Sequence, residues 1–293
     1  MKTIAVTGVT GFVGKRFIQY NKEKYRLVPL MLRGIQPAAL DMKGLDAVVH
    51  LAGKAHQMEP VADNVYFEVN FQLSAALAAR AKEQGVPHFI YISSTKVYGD
   101  NIETVLNEQS PCHPSDAYGA SKLKAEESLQ AMASPSFTVA ILRPPLVYGP
   151  GVKGNMIKLL QLAAKKIPLP FGNTRNARSM VFVDNLVALI NAIIDQQAGG
   201  VFAAGDRHPV STDALIGMMR KAMNNPLPLV SVPFFIRGML KKLRPALYIR
   251  LFGSFVVDNS ATNRRLQFTP PAVTEEGIEV MVNWFKHDYH KKN

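Results

Sequence analysis

Residues 2–18 read KTIAVTGVTGFVGKRFI, and this stretch decides the fold of the chain. A short apolar run with β-forming residues, 2–7, passes directly into Gly8, Gly11 and Gly14 and into a helix predicted near 11–22. A glycine turn lets the backbone approach a pyrophosphate, and the N-terminus of the helix offers free N–H groups and partial positive charge. The spacing is Gly-x-x-Gly-x-x-Gly, not the Gly-x-Gly-x-x-Gly of the general dinucleotide fingerprint. Between a strand and a helix it still predicts a nucleotide phosphate site; the alternative is a turn without a ligand.

Strand-like and helix-like segments alternate along the rest of the chain. This alternation predicts an α/β fold, a Rossmann-like doubly wound parallel sheet with helices on both faces. Ligands of such sheets bind beyond the carboxyl ends of the strands. The predicted strands are 2–7, 25–32, 47–52, 88–93, 138–142, 180–183 and 201–204, and the predicted helices are 11–22, 67–84, 118–133 and 183–195.

Two proline- and glycine-rich stretches mark where the chain leaves the sheet: Gly149-Pro150-Gly151 and Pro168-Leu169-Pro170. They predict a second, smaller α/β lobe that binds substrate. We expect a dinucleotide-binding domain over residues 1–148, to which 181–206 return. The substrate-binding lobe then comprises 149–180 and 207–293.

A second motif pairs Tyr118 with Lys122, after the hydroxyl-rich run Ser93-Ser94-Thr95. In a helix, positions i and i+4 share a face, so the lysine ammonium would lie beside the phenol. A nearby cation lowers the pKa of a tyrosine from about 10. A hydroxyl from residues 93–95 would hold a substrate oxygen against that phenol, which gives the parts needed to move a proton on or off a carbinol oxygen. The alternative is an exposed tyrosine beside a solvated lysine; the glycine motif favours the catalytic interpretation.

Composition limits the class of protein. The chain has 293 residues, of which 47% are hydrophobic and 19% charged, as expected of a soluble α/β enzyme. The single cysteine, Cys112, excludes an internal disulfide framework and fits a reducing compartment, so we predict a cytoplasmic protein. Cys112 and His113 have no further ligands at metal-binding spacing, so no metal site is predicted. No run approaches the roughly 18 apolar residues of a membrane span.

The formal net charge is +12, with 34 lysines and arginines against 22 aspartates and glutamates. An anionic partner is therefore expected, such as a dinucleotide or a nucleoside-diphosphate sugar. Nucleic acid is not predicted, because there is no helix-turn-helix, zinc or RNA-binding signature and the aromatic residues do not interleave with basic ones.

Part of the charge lies in residues 234–252, an apolar stretch with five cations. Two interpretations are open. The segment could associate peripherally with an anionic membrane surface, without stable insertion. The favoured alternative is a pair of core-packed helices, broken at Pro245, whose cations face solvent or substrate.

These motifs together resemble the extended short-chain dehydrogenase/reductase family, in its nucleotide-sugar epimerase/dehydratase branch. The resemblance covers nearly the whole chain. Its pieces are Thr7–Gly14 (TGVTGFVG), 46–53 (DAVVHLAG), Val69-Asn70, 93–99 (SSTKVYG), 118–122 (YGASK), 143–151 (RPPLVYGPG) and 178–184 (RSMVFVD).

The resemblance implies roles for individual residues. NAD(P) would be held by Gly8, Gly11, Phe12, Val13, Gly14, Leu51, Ala52, Gly53, Asn70, Pro145 and Val147, together with Tyr118 and Lys122. Tyr118 would be the general acid/base, Lys122 would lower its pKa and bind the nicotinamide ribose, and Ser94 would be the third catalytic group. A nucleoside-diphosphate sugar would contact Thr95, Asn155, Arg178 and Arg250. For Arg178 the alternative is a surface cation, and for Asn155 a loop or capping residue.

Two departures from the family pattern bear on the reaction. Dehydratases of this branch have Asp-Glu directly after the catalytic hydroxyl, where this chain has Thr95 and Lys96, so 4,6-dehydration is not expected. The second predicted strand ends at Leu32-Arg33 without the acid that binds the ribose 2′-hydroxyl in NAD enzymes. Arginine can pair with a phosphate, so Arg33 favours NADP; the alternative is a solvated loop cation.

The resemblance extends to bacterial surface-polysaccharide enzymes, including those of lipopolysaccharide synthesis. It predicts an NAD(P)-dependent oxidoreductase that reduces a UDP-4-keto-6-deoxy-hexosamine. The first alternative is a UDP-hexose or UDP-N-acetylhexosamine 4-epimerase. An alternative of another class is a non-catalytic NADP-binding sensor or scaffold. Many relatives dimerise through a four-helix contact, which would here involve helices 67–84 and 118–133, so a homodimer is expected by resemblance.

Overall fold

The structure is a computed structural model that describes residues 1–55, 62–100 and 104–289, without the side chains of Phe234, Ala246 and Arg250. The strands are β1 (Thr3–Thr7), β2 (Arg26–Leu30), β3 (Ala47–His50), β4 (His88–Ile92), β5 (Thr138–Arg143), β6 (Leu146–Tyr148), β7 (Leu169–Gly172), β8 (Met180–Phe182), β9 (Gly200–Ala203) and β10 (Leu229–Ser231). The helices are α1 (Phe12–Asn21), α2 (Asp63–Tyr66), α3 (Leu73–Glu83), α4 (Ala117–Met132), α5 (Asn155–Ala163), α6 (Val183–Gln196), α7 (Thr212–Ala222), α8 (Phe234–Leu243), α9 (Pro245–Phe252), α10 (Ser260–Arg265) and α11 (Thr274–Trp284).

A six-stranded parallel sheet with the order β2-β1-β3-β4-β5-β9 organises the fold. Alternate residues of each strand enter different hydrophobic clusters. Ile4 and Val6 pack with α1 and α6 on one face, whereas Ala5 packs with α3 and α4 on the other. A parallel sheet that is covered on both faces needs such continuously apolar strands. The structure therefore confirms the predicted α/β fold class with a doubly wound parallel sheet.

Two predicted elements differ from the structure. The strand predicted over 180–183 is not in the main sheet, because β8 pairs with β6 in a separate two-stranded sheet. Pro144 and Pro145 end β5 and take the chain out of the main sheet before β6. The helix predicted over 67–84 begins earlier, with α2, and includes a π-helical turn over Phe67–Gln72 before α3.

Outside the sheet, a further hydrophobic cluster joins β6, β7, β8, α5, α7 and α11. Leu160, Ile216, Ile278 and Met281 are fully buried in it. Phe12 and Val13 at the start of α1, and Val147 in β6, pack against the same cluster. The glycine turn before α1 is therefore flanked by this second group of elements.

Within the described ranges, the helices are all too short or too polar to cross a membrane.

Candidate active site

The predicted site residues gather at one edge of the sheet. β1, β3, β4 and β5 are parallel neighbours, so their carboxyl ends lie side by side. The segments that follow them are the glycine turn at Gly8, the run Leu51–Gly53, the hydroxyls at 93–95, and the prolines at 144–145. All four segments therefore lie at the edge of the sheet where the sequence predicts ligand binding.

The glycine turn fits a phosphate group. Gly8 has φ of +66°, in the left-handed region, and the Gly11 N–H donates to Gly8 O at 2.9 Å. Gly11 is the N-cap of α1, and no described side chain accepts a hydrogen bond from the first turn. The N–H groups of that turn, from Phe12 to Gly14, are therefore available to an anion at the positive end of the helix.

Gly14 is required by close packing of α1 on this turn. A Cβ added there would lie 2.1 Å from Gly8 O and 2.9 Å from Val9 Cα, and both are backbone atoms. We expect Gly14→Ala to lower the free energy of unfolding, measured in urea, by about 1–3 kcal/mol. The matched control is Gly217→Ala within α7, where nothing lies within 4 Å of the added Cβ. That variant should be more stable by about 0.5–1 kcal/mol, and a Gly14→Ala protein as stable as wild type would contradict this packing argument.

A buried polar network fixes the segment after β3 against the glycine turn. Ala52 N–H donates to Thr7 Oγ1 (3.0 Å), which contacts His50 Nδ1 (2.7 Å), and His50 Nε2 contacts Ser74 Oγ (2.9 Å). Ser74 Oγ donates to Asn70 O (2.8 Å), so it accepts from His50, and the network assigns the proton to Nε2. Burial lowers the pKa of His50 to about 3, which keeps the ring neutral.

Asn70 connects this segment to α4. Its side chain is fully buried in the π-helical turn, accepts from Lys54 N–H (2.8 Å), and donates to Lys54 O and Ser121 Oγ (both 3.1 Å). A Cβ at Gly53 would lie 3.0 Å from Asn70 Oδ1 and 3.3 Å from Lys122 Nζ. The structure therefore brings Gly53, Asn70 and Lys122 together. π-Helical turns such as the one that carries Asn70 are frequent at functional sites.

Tyr118, Lys122 and Ser94 converge beside this contact. Lys122 is 5% exposed, its Nζ donates to Ile92 O at 2.8 Å, and it lies 4.6 Å from the centre of the Tyr91 ring. Burial lowers the pKa of Lys122 to about 8. Tyr118 is hydrogen-bonded to Ser94, which also accepts from Lys96 N–H (3.2 Å) as the cap of a short 3₁₀ turn.

The electrostatics of Tyr118 differ from the sequence prediction, in which Lys122 lowers its pKa. In the structure, burial raises the pKa of Tyr118, and the hydrogen bond from Ser94 is what opposes this rise. The phenol is therefore protonated at neutral pH in the chain without ligands.

The predicted substrate residues do not form one group in the structure as Ser94, Tyr118 and Lys122 do. Thr95 is buried, and its N–H donates to Pro144 O (3.0 Å); Asn155 is half-buried at the start of α5. Arg178 Nη1 donates to Gly253 O (3.1 Å) and Ile249 O (3.3 Å), so it holds the carboxyl end of α9. The side chain of Arg250 lies outside the described residues. The contacts of these residues with a substrate stay predictions.

The remaining predicted cofactor residues follow the carboxyl ends of β5 and β2. Pro145 is buried and Val147 half-buried directly after β5, and Arg33 is exposed three residues beyond the end of β2. Lys96, at the position where dehydratases have an acid, instead pairs with Asp100 and, at 3.2 Å, with Asp116. In the described part of the chain, no group of three or more histidine, cysteine, aspartate or glutamate side chains could hold a metal ion.

The sequence interpretation missed a buried ion pair that involves α4, the helix with Tyr118 and Lys122. Arg143 Nη2 lies 2.6 Å from Glu126 Oε2, Arg143 Nε donates to both carboxylate oxygens at 3.1 Å, and Ser93 Oγ donates to the same carboxylate. A helical signal was present, because Glu126 follows Tyr118 and Lys122 at four-residue intervals on α4. Its partner, Arg143 at the end of β5, could not be predicted from the spacing of residues in the sequence.

The parallel sheet, the uncapped glycine turn and the Ser94–Tyr118–Lys122 group define a class: α/β enzymes that bind a dinucleotide and exchange a proton with a substrate oxygen. The site fits a nicotinamide dinucleotide, because the N–H groups of α1 suit a pyrophosphate. The Lys122 ammonium has three donors, and among the described residues one is used, on Ile92 O.

Comparison with known proteins agrees with this class. The NAD dependent epimerase/dehydratase family matches residues 4–205, and the chain belongs to this family. A UDP-glucose 4-epimerase of Vibrio cholerae is 36% identical over 309 residues, which cover 95% of this chain and 94% of that protein. The predicted family resemblance is therefore confirmed, and the chain is an NAD(P)-dependent enzyme of the nucleotide-sugar epimerase, dehydratase and reductase group.

Solved structures share the fold. UDP-glucuronic acid 4-epimerase from Bacillus cereus in complex with NAD has a TM-score of 0.78 at 20% identity, covering 98% of this chain and 99% of that one. RMD from Pseudomonas aeruginosa complexed with NADPH also has a TM-score of 0.78, at 22% identity and the same coverage of both chains. Of these two structures, one contains NAD and the other NADPH.

Proposed function

We propose that this chain catalyses oxidation and reduction at C4 of a UDP-sugar and that the net reaction is 4-epimerisation. The hydrogen-bonded Tyr118 and Ser94, beside the buried Lys122, carry the proposal for the reaction type. The substrate and net reaction rest on the relative that is 36% identical over nearly the full length of both chains and is named UDP-glucose 4-epimerase. A role in surface-polysaccharide synthesis stays a prediction.

Each of the segments that follow the carboxyl ends of the strands has a proposed role. The turn with Gly8, Gly11 and Gly14 binds the pyrophosphate through the N–H groups of Phe12, Val13 and Gly14. Residues 51–53 and Asn70 shape the adenosine and ribose side. Residues 1–148 with 181–206 form the dinucleotide-binding domain, and 149–180 with 207–293 form the substrate lobe.

The bound nicotinamide would supply hydride acceptance and donation at the sugar carbon. Tyr118 exchanges the proton of the 4-hydroxyl, and Ser94 orients that oxygen by its hydrogen bonds. Lys122 provides donors for the ribose hydroxyls of the dinucleotide. Lys122 is buried and Tyr118 and Ser94 are half-buried, and low exposure to water strengthens such electrostatic interactions.

Product analysis with the purified chain tests this function. With UDP-glucose and UDP-N-acetylglucosamine, we expect the 4-epimer to form without net consumption of dinucleotide. Stoichiometric NADPH consumption with a UDP-4-keto-6-deoxy-hexosamine, and no epimer, would replace the proposal by the reductase. Dinucleotide binding without turnover on either substrate set would favour the sensor or scaffold.

The 4-keto-reductase is the second candidate, and Arg33 favours it. Arg33 is exposed beyond the end of β2, and no acid lies between Leu30 and Asp41 to bind a ribose 2′-hydroxyl. If Arg33 pairs with a 2′-phosphate, as an NADPH-dependent reductase needs, Arg33→Ser should weaken NADPH binding about 10–100-fold and leave NADH binding nearly unchanged.

Fluorescence titration with NADPH and with NADH measures the two dissociation constants. Arg26→Ser is the matched control, because Arg26 is an exposed arginine at the opposite, amino end of the same strand. Equal effects of Arg33→Ser on both dinucleotides would contradict the 2′-phosphate contact.

A further inference from the structure

Helices α8 and α9 carry a concentration of exposed apolar side chains. Among the described residues, Phe235 is 63% exposed, Met239 57% and Leu243 67%, and Ile236, Leu247 and Ile249 are exposed as well. No described residue of α8 is buried. The favoured sequence prediction of core-packed helices is therefore wrong for α8, because this helix lies on the surface.

The exposed residues of α8 form one face. Phe235, Met239 and Leu243 recur at four-residue intervals, which places them in a row along the helix. The other side of α8 faces α9, because the Arg237 guanidinium lies 5.1 Å from the Phe252 ring centre and Lys241 Nζ 5.8 Å from that of Tyr248. Met239 and Leu243 therefore lie on the side of α8 opposite α9, where both are exposed.

The surroundings of this row are basic. No aspartate or glutamate occurs between Asp213 and Asp258, whereas that stretch holds seven cations: Arg220, Lys221, Arg237, Lys241, Lys242, Arg244 and Arg250. Lys242 and Arg244 are exposed at the end of the apolar row. An exposed apolar row next to cations is complementary to a surface whose interior is apolar and whose outer layer is negatively charged.

We propose that this face, formed by Phe235, Met239, Leu243, Lys242 and Arg244 and called the α8 face below, binds the surface of an anionic lipid bilayer. The apolar row enters the boundary between headgroups and acyl chains, and the two cations contact anionic headgroups. A helix of 10 residues is far too short to span the bilayer, so α8 lies along its surface. The inference is independent of which reaction the site catalyses.

A second copy of this chain is the less favourable occupant. A two-fold interface places the same patch against itself, so Lys242 and Arg244 would face their own copies. With no acid between residues 214 and 257, this segment offers those cations no carboxylate partner in such a dimer. Anionic lipid supplies the opposite charge without this repulsion.

Co-sedimentation of the full chain with vesicles tests the proposal. We expect wild type to sediment with vesicles that contain phosphatidylglycerol, and not with pure phosphatidylcholine. Met239→Gln/Leu243→Gln makes two of the three side chains of the apolar row polar and keeps the charge. Lys242→Glu/Arg244→Glu reverses the charge and keeps the row. Each double variant should lower the partition coefficient at least about tenfold.

The matched control is Val280→Gln/Lys286→Glu, which changes an exposed valine of α11 and an exposed lysine just beyond that helix and should bind as wild type does. Thermal unfolding checks that all variants fold. The proposal is overturned if wild type does not bind phosphatidylglycerol vesicles, or if both α8-face variants bind as tightly as wild type. It is also overturned if sedimentation velocity shows that the face holds a dimer and lipid binding is absent.

Discussion

Replacing Tyr118 by phenylalanine is expected to lower turnover by about 10²–10⁴-fold while the chain stays folded. The substitution removes only the phenol oxygen, the group proposed to exchange the 4-hydroxyl proton. The ring remains, and with it the edge-on contact to Tyr66, whose ring centre lies 6.0 Å away. The measurement is kcat on the substrate found by product analysis, together with the thermal unfolding temperature and dinucleotide affinity.

Tyr98→Phe is the control for losing a buried tyrosine hydroxyl. Tyr98 OH donates to Asn107 O at 2.7 Å and accepts from Arg143 Nη1 at 3.1 Å, so its loss leaves buried groups without a partner. We expect that variant to lose stability, by about 1–3 kcal/mol, and to keep most of its turnover. Near-wild-type turnover in Tyr118→Phe would remove Tyr118 as the acid/base, whatever the net reaction.

The fold could be predicted because its signals are local. Residues 2–18 contain a strand, a turn that needs glycine at positions 8 and 14, and a helix, each specified by neighbouring residues. The later strands are short apolar runs that end in glycine, serine or proline, and their alternation with helices implies parallel pairing. The separate sheet of β6 and β8 could not be predicted, since it joins segments more than 30 residues apart.

The proximity of the candidate catalytic residues was predictable for a similar reason. Tyr118 and Lys122 are one helical turn apart, and Ser94 follows a strand that neighbours α4 in sequence. The network from Thr7 through His50 and Ser74 to Asn70 was not predicted, because its members come from β1, β3, α3 and the π-helical turn. Only the sheet register, which places Thr7 beside His50, brings them together.

Burial explains where the electrostatic predictions differ from the structure. The spacing of Tyr118 and Lys122 suggested a cation acting on a phenol, but spacing carries no information about desolvation. In the structure Lys122 is buried and Tyr118 is half-buried, and desolvation raises the pKa of Tyr118 and lowers that of Lys122 to about 8. In residues 234–252, conversely, the apolar composition suggested burial, and the structure leaves the row on α8 exposed.

The buried pair of Glu126 and Arg143 has the second large expected effect. Glu126 is 1% exposed on the face of α4 that carries Tyr118 and Lys122, and Arg143 is 5% exposed at the end of β5. Because Ser93 donates to the same carboxylate, the pair joins the catalytic helix to the strand end that positions Ser94. Tyr98 OH and Glu108 O accept from Arg143 Nη1, so few of its donors depend on water.

Glu126→Gln should lower the free energy of unfolding by about 3–5 kcal/mol, because it leaves the Arg143 guanidinium buried without a counter-charge. Arg143→Met should lower the free energy of unfolding by a similar amount, because it leaves the Glu126 carboxylate buried without a counter-charge. The double variant Glu126→Gln/Arg143→Met should lower the free energy of unfolding clearly less than the sum of the two single changes, since no buried charge remains. Urea unfolding of the four proteins gives the coupling free energy directly.

The matched control lies one residue further along α4. Glu127 Oε2 is 4.0 Å from Lys124 Nζ, and both side chains are more than half exposed. An exposed pair of this kind contributes little, so Glu127→Gln should change the free energy of unfolding by less than about 0.5 kcal/mol. If Glu126→Gln were no more costly than Glu127→Gln, the ion pair would not hold α4 against β5. The alignment of Ser94 with Tyr118 would then depend on other contacts, such as the pair of Lys96 with Asp116 at the N-cap of α4.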